Sequence, residues 1–508
     1  MEFSSLKERF VRSVPDLLVA GFIGLGAFLR IYNFSNVDLW IDEYGTWWVI
    51  AGGDWGEVAR RAVRIQGQSP FFYFLVKLSS DLLGPGPVAF RLPSILFGIG
   101  ILGLAYPLAI RIFQDRQVAL LAVAAFAVNE YLIFFSQDAR PYSLALLCAM
   151  LSFLCYLSLL TTETLSCRLG YLLATAGVYY AHYLLGVVVV IQVLHLFWTR
   201  GWSWLRSKTW RATFLALALI CLPGAAQVVS LFGRRETLDY LNPAGLLGPI
   251  KLALDFLNPW ALFPVAIVVL AFRLVGKEKA KLRYRGLDVV VLWALLPIAF
   301  FAVVPPLFGI TLLKKQYVLV ALPGAILFVS WVMAIERGTI WARWVPLVVF
   351  VTLTFVFTLI PALQATGTFS RRPNQGWNRA AALLEKNARS DDLILYRVGF
   401  VEANQLALPA PNPLIVSFVS WPLTANLTSA NHYQMVGLPF REMTQNVAYI
   451  SSIVKKAAEH NRVWIIGTRA GEITTRVAHV LISSGQFQLR GRTLYGSVQV
   501  ILLERGAT

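Results

Sequence analysis

The sequence predicts a polytopic α-helical membrane protein that ends in a small α/β domain. Three observations predict it. Of the 508 residues, 57% are hydrophobic and only 14% are charged, and the mean hydropathy is +0.63. A soluble domain carries about 25% charged residues. Apolar runs recur from Leu17 to Pro361, most of them near the length of about 20 residues that a membrane-crossing helix needs. Beyond about Phe369 the chain turns more polar, and amphipathic stretches alternate with short apolar ones.

The elements follow in order. Lys7, Arg9 and Arg12 precede the first apolar run, Leu17 to Ile31, and no small-residue cleavage site follows it. An uncleaved first helix with a cytoplasmic N-terminus is expected. Residues 32–69 then lie outside. Pro70 to Leu83, about 14 residues, is short for a span and reads as a juxtamembrane helix on the outer side. Further spans are expected at 88–110, 117–135, 141–160, 169–182, 184–199, 211–230, 259–275, 286–305, 316–335 and 341–361, about eleven with the first. Arg168, the Arg200–Arg211 loop, the Arg273–Arg285 run with Lys277, Lys279 and Lys281, and Arg337/Arg343 then fall inside, as the positive-inside rule favours. Arg234 and Arg235 fall outside, against it.

The chain divides into a membrane domain, residues 1–365, and an extracytoplasmic α/β domain, residues 366–508. In the second, GWNRAAALLEKNA leads into DDLILYRV, and NVAYISSIVKKAAEH into RVWIIG. A helix from about Glu472 and the stretch QFQLRGRTLYGSVQVILLE close it. It carries no G-x-G-x-x-G or P-loop. The net charge of +18 belongs to cytoplasmic loops and implies no nucleic-acid partner. The cysteines Cys148, Cys155, Cys167 and Cys221 all lie in or beside apolar segments. The C-terminal part therefore has no disulfide framework, and no Cys spacing resembles a metal site.

Against this background the paired acids Asp42 and Glu43 stand out, set among Trp40, Tyr44, Trp47 and Trp48. A carboxylate at mid-membrane costs roughly 2.5–3.5 kcal/mol, less toward the interface. It persists where it faces water, a partner or a substrate. On the same outer side lies SQDARPY, with Asp138, Arg140 and Tyr142 between two spans. Pro141 suits a first helical turn. Asp138 and Arg140 can equally pair with each other. Lys314 and Lys315 sit against the charge bias, which suits either an anionic partner such as a phosphate or lipid headgroups. His182 lies at another outer boundary, where a structural role is the commoner one.

At these residues the chain resembles a family. DLWIDEYG, SPFFYFLVKL, FRLPSILFG, SQDARPYSLALL, YYAHYLLG and KKQYVLVALPG occur in the order seen in GT-C type membrane glycosyltransferases. The bacterial branch related to protein O-mannosyltransferases and the lipid A aminoarabinose transferase is the nearest in look. The resemblance covers most of residues 1–360. It implies transfer of a sugar from a polyprenyl-phosphate donor at the outer face of a bacterial inner membrane, with inversion. The acceptor is a hydroxyl of a glycan, lipid or protein. One departure is Ser69-Pro70-Phe71 where the family often has His-Pro-Pro.

Such a reaction needs a base for the acceptor hydroxyl and cations for the departing phosphate. Asp42 is expected as the base and Glu43 as an orienting acid. Arg140, Lys314 and Lys315 are expected on the phosphate, with Asp138 holding Arg140, and Tyr142 and His182 beside the substrate. A divalent metal on Asp42, Glu43 and His182 is compatible with the sequence and not required by it. Two alternatives stay open. A transporter buries charges in a similar bundle, but the sequence has no internal repeat and its charges lie off mid-span. A non-catalytic protein presenting a lipid or glycan needs none of the acids.

Overall fold

The computed structural model describes residues 2–233, 245, 247–275, 286–310, 312–334, 340–372, 375–428, 433–468 and 472–506. The chain forms two compact units, Met1–Phe34 with Gly67–Arg371, and Ser35–Gln66 with Arg372–Thr508. This grouping differs from a single cut near residue 366, because the acidic loop belongs with the C-terminal residues.

The first unit is helical. Among the described residues, six helices are long and apolar enough to cross a membrane: Pro87–Phe113, Tyr142–Leu159, Tyr183–Arg206, Lys208–Val229, Leu287–Leu307 and Trp344–Thr366. Two bent pairs raise the number to as many as eight. The eleven expected from hydropathy also counted the first helix, Glu2–Ile31, and two short ones, Leu165–Ala181 and Leu319–Met333. The stretch after Pro70 forms a separate helix, Phe71–Leu83, of 13 residues. Arg234, Arg235, Lys277, Lys279, Lys281, Arg283, Arg285 and Arg337 lie outside the described residues.

The expected span 117–135 is broken. Arg116–Val128 and Glu130–Ser136 meet at 57°. Asn129 is extended and its side chain accepts the amide of Leu132 at 3.1 Å, so it stops one helix and caps the next. Arg116–Val128 is the inner helix of the unit. Val118 through Val128 are all buried, and the helix packs against Glu2–Ile31, Pro87–Phe113 and Leu322–Met333. Its alanines allow that close approach. A methyl on Gly26 would lie 3.0 Å from the Ala127 backbone.

Ending a helix inside an apolar bundle leaves carbonyls that no water can satisfy. Arg30 supplies the donors. Its fully buried guanidinium donates to the carbonyls of Phe126 at 3.1 Å and Ala127 at 3.2 Å, to Gly26 at 2.8 Å and to the Ser136 hydroxyl at 3.2 Å. Gln137 in turn donates to the Arg30 carbonyl at 3.0 Å, closing the first helix's own end. A second bend, 68°, joins Gly248–Leu257 to Pro259–Ala271. Left-handed Asn258 followed by Pro259 accounts for it, and the Asn258 amide is held by Thr354 at 3.2 Å.

Among the described residues of the second unit five strands form one sheet: β1 Leu393–Arg397, β2 Gln434–Gly437, β3 Arg462–Thr468, β4 Phe487–Tyr495 and β5 Val498–Arg505. Their order is β2-β1-β3-β5-β4, with β1 parallel to both neighbours and the remaining pairs antiparallel. β1 is buried along its whole length, as a central parallel strand must be. Gly496, at φ 58°, turns β4 into β5. The helices Val447–Ala457 and Glu472–Ser483 contribute Ile453, Ala457, Ile473, Val477 and Leu481 to a core with Leu393, Leu395, Val463 and Ile465.

The acidic loop joins this unit through aromatic packing. Its helix Ile41–Ile50 lies on helix Pro413–Thr424. Trp48 is fully buried, meets Phe418 edge-on at 5.2 Å and donates to the Ser417 hydroxyl at 3.0 Å. Arg61 covers the Trp48 ring at 4.5 Å. Asn426 donates to the Tyr44 hydroxyl at 2.9 Å. These rings form core and not membrane anchors alone.

The Arg30 cap is testable. Arg30→Leu orphans two buried carbonyls, at about 1–3 kcal/mol for each. The thermal midpoint of the purified protein in detergent should fall clearly, and less for Arg30→Lys. An unchanged midpoint for Arg30→Leu contradicts the assignment.

Candidate active site

The candidate residues fall in both units. In the second, Trp40 caps the helix Ile41–Ile50, so Asp42 and Glu43 occupy its first turn. The positive end of the helix favours negative charge there. The two acids have different surroundings. Glu43 is fully buried, and one oxygen meets Arg372 Nη2 at 2.8 Å. The other accepts the Trp40 amide at 3.3 Å. Asp42 is only half-buried, and its backbone carbonyl accepts the Thr46 hydroxyl at 3.4 Å. Asp38, just ahead of the turn, is bonded by Asn378 at 2.9 Å and Arg379 at 3.1 Å. Thus Glu43 is engaged by its own protein, and Asp42 is the more accessible acid.

In the first unit SQDARPY is buried, with Asp138 fully enclosed and Arg140 8% exposed. The amide of Arg140 donates to the Asp138 carbonyl at 2.7 Å, and its own carbonyl accepts the Ser94 hydroxyl at 3.2 Å. Arg140 Nη1 reaches the Tyr73 hydroxyl at 3.4 Å. Tyr142 opens the next helix, and its ring stacks on His182 at 5.6 Å. On its other side His182 meets Tyr317 at 6.0 Å. The backbone at Lys314 accepts the amides of Tyr317 and Val318 at 3.0 and 3.1 Å, a turn that delivers Tyr317 to that ring. The unit therefore brings Arg140, Tyr142, His182 and Tyr317 into one group, with the half-buried Lys314 three residues before Tyr317.

Lys315 turns elsewhere. It pairs with Asp255 at 3.0 Å and donates to the Tyr131 hydroxyl at 2.6 Å. The Tyr131 ring in turn meets Phe256 edge-on at 5.5 Å. Among the described residues no group of three or more His, Cys, Asp or Glu side chains could hold a metal ion. Sequence reasoning missed Arg372, Tyr73, Tyr317 and Asp255. Tyr73 and Tyr317 lie inside the quoted segments SPFFYFLVKL and KKQYVLVALPG. Arg372 carries no local signal, since its partner lies more than 300 residues away.

A broken helical bundle and an α/β unit that carries the acidic loop define a class of membrane protein. The family model described as dolichyl-phosphate-mannose-protein mannosyltransferase matches residues 67–226. The apo structure of ArnT from Cupriavidus metallidurans is similar over 96% of this chain and 97% of that one, at 12% identity and TM-score 0.59. The same protein bound to undecaprenyl phosphate gives 13% identity and TM-score 0.58, over 96% and 98%. The archaeal oligosaccharyltransferase AglB from Archaeoglobus fulgidus, in complex with an inhibitory peptide and a dolichol-phosphate, gives 11% and 0.55 over 97% and 74%. No curated protein matches the chain in sequence. The resemblance to GT-C membrane glycosyltransferases thus holds as a likeness of fold along nearly the whole chain.

The Lys315 contacts carry a pH signature. Burial alone lowers the Lys315 pKa, but Tyr131 and Asp255 outweigh it and raise it above the usual 10.5. A raised folded pKa gives stability that is complete below the unfolded value and is lost as pH rises through the folded one. The difference in thermal midpoint between wild type and Lys315→Met should be flat from pH 6 to about 9 and shrink above about 10.4. A difference that vanishes near neutral pH contradicts the pairing.

Proposed function

We propose that this protein is a membrane glycosyltransferase that moves a sugar from a polyprenyl-phosphate donor to an acceptor hydroxyl, with inversion. The observation that carries the reading is the shared fold, over nearly the whole chain, with proteins solved holding undecaprenyl phosphate and dolichol-phosphate. The likeness also favours a transferase over a transporter. The membrane domain crosses the bilayer about eleven times, and residues 366–508 lie outside the cytoplasm. Cysteine labelling of that part from the cytoplasmic side alone would overturn this orientation.

The residues then divide the work by chemistry. Asp42 takes the proton of the acceptor hydroxyl, the one step that needs a carboxylate within hydrogen-bond reach. The acceptor oxygen bonds to the anomeric carbon as its bond to the phosphate oxygen breaks, and the polyprenyl phosphate leaves. Arg140 offers that phosphate a planar fork of donors, and Lys314 adds charge. Lys315 is paired with Asp255, so its charge is largely offset and it contributes little to holding the phosphate. Asp138 holds Arg140 through the backbone. Tyr142 and His182 form the wall beside it. The acceptor is a glycan, a lipid or a protein, and membrane lipid surrounds the donor chain.

Asp42→Asn preserves the shape and removes the base, so turnover with saturating lipid-linked donor should fall about 10²–10⁴-fold while donor binding stays. Arg140→Lys keeps the charge and loses the fork, so turnover should fall even though one cation is exchanged for another. Wild-type turnover in Asp42→Asn contradicts the mechanism.

A further inference from the structure

The buried Glu43–Arg372 pair does something that a stabilising contact need not do. Both side chains are almost fully enclosed, at 0% and 1% exposure. Taking two charges out of water is expensive, and a buried ion pair is often no more stabilising than apolar side chains of the same size. What such a pair does fix is position, here through the approach of Arg372 Nη2 to within 2.8 Å of one Glu43 oxygen.

The position fixed here is that of Asp42. Glu43 uses one oxygen for Arg372 and the other for the Trp40 amide. The Glu43 carboxylate therefore sits between Arg372 and the cap of the helix, and Asp42 is the half-buried residue just before Glu43 in the same turn. Just upstream, Asp38 is tied to Asn378 and Arg379. Both ends of residues 38–43 are thus held, one by Arg372 and the other by Asn378 and Arg379. The pair also neutralises the charge next to Asp42, which two adjacent carboxylates would otherwise make repulsive.

We propose that Arg372 is a positioning residue, which acts through Glu43 to hold the first turn of helix Ile41–Ile50 so that Asp42 faces the reacting hydroxyl. Glu43 is then the arm of that clamp and does not touch the acceptor. The proposal rests on the reading of Asp42 as the base.

The test uses the full-length protein in lipid nanodiscs and four variants: Arg372→Met, Arg372→Lys, the double variant Glu43→Met/Arg372→Met, and Asp42→Asn. Two properties are read. One is amide hydrogen exchange in a peptide spanning residues 38–48. The other is turnover of an unfractionated extract of polyprenyl-phosphate-linked sugars, with kcat separated from KM. Arg372→Met strands a buried carboxylate and lowers the thermal midpoint, so the double variant is the informative one. It removes both charges and should regain most of the midpoint. Its exchange at 38–48 should nevertheless rise on the order of tenfold, and its kcat should fall about 10²-fold at unchanged KM, the loss that a misplacement of about 1 Å brings. Arg372→Lys should recover part of both. A double variant with wild-type exchange and wild-type kcat overturns the proposal and leaves the pair a packing contact. Wild-type turnover in Asp42→Asn overturns the reading beneath it instead, and the exchange data still decide whether the pair holds the turn.

Discussion

Two adjacent carboxylates in a chain this apolar need a counter-charge, and the Glu43–Arg372 ion pair provides it. The pair is one of the contacts that tie residues 35–66 to residues from 372 onward, beside the packing of helix Ile41–Ile50 on helix Pro413–Thr424. Once Glu43 is neutralised it can be buried, and the aromatic residues that follow it can pack. Trp48 settles on helix Pro413–Thr424, Tyr44 takes the Asn426 amide, and Gly45 leaves room for the Gln66 side chain, which would lie 3.2 Å from an added methyl. Breaking such a pair from one side costs about 3–5 kcal/mol. Removing Arg372 therefore threatens a packed unit as well as a single contact.

The helical unit meets a similar demand with the same kind of side chain. A broken helix is useful because it lets the chain turn within the bundle and presents residues 137–142 between two helices. It also exposes carbonyls where water is scarce. Arg30 closes them with donors that a lysine could not spread over three carbonyls and a hydroxyl. In both units an arginine absorbs the electrostatic cost of an irregular piece of backbone or an embedded acid. Irregular backbone of this kind is costly to keep, which is a reason to look for function beside it.

Much of this was legible in the sequence, and what was not has physical reasons. Composition and run length were enough for the helical bundle, because a span's length is set by the bilayer. The helices at 377–387 and 447–457 and the strands β1 and β3 follow from local periodicity. The break at Asn129 had a signal, the polar pair Asn129-Glu130 inside an apolar run, but hydropathy averaging smooths over so short an interruption. Helix Pro413–Thr424 had one too, Asn412 capping with Pro413 at the first turn, yet its twelve residues read equally as loop or buried strand. β2, four residues long, is below what alternation can detect. At the site, the choice of the acids as the place to look came from charge against hydropathy. Their unequal roles did not, since Arg372 and the packing that buries Glu43 are contributed by residues hundreds of positions away. Likewise Lys314 and Lys315 read as twins, and only the turn after Leu312 sends them to different neighbours.

What holds the account together is consumption of a lipid-linked sugar, and it can be measured directly. The purified protein, reconstituted in liposomes, is incubated with a labelled extract of polyprenyl-phosphate-linked sugars, and the lipids are then resolved. One lipid-linked sugar should disappear in step with the appearance of free polyprenyl phosphate, with wild type and not with Asp42→Asn. Persistence of every polyprenyl-linked sugar, or equal consumption by Asp42→Asn, would contradict it.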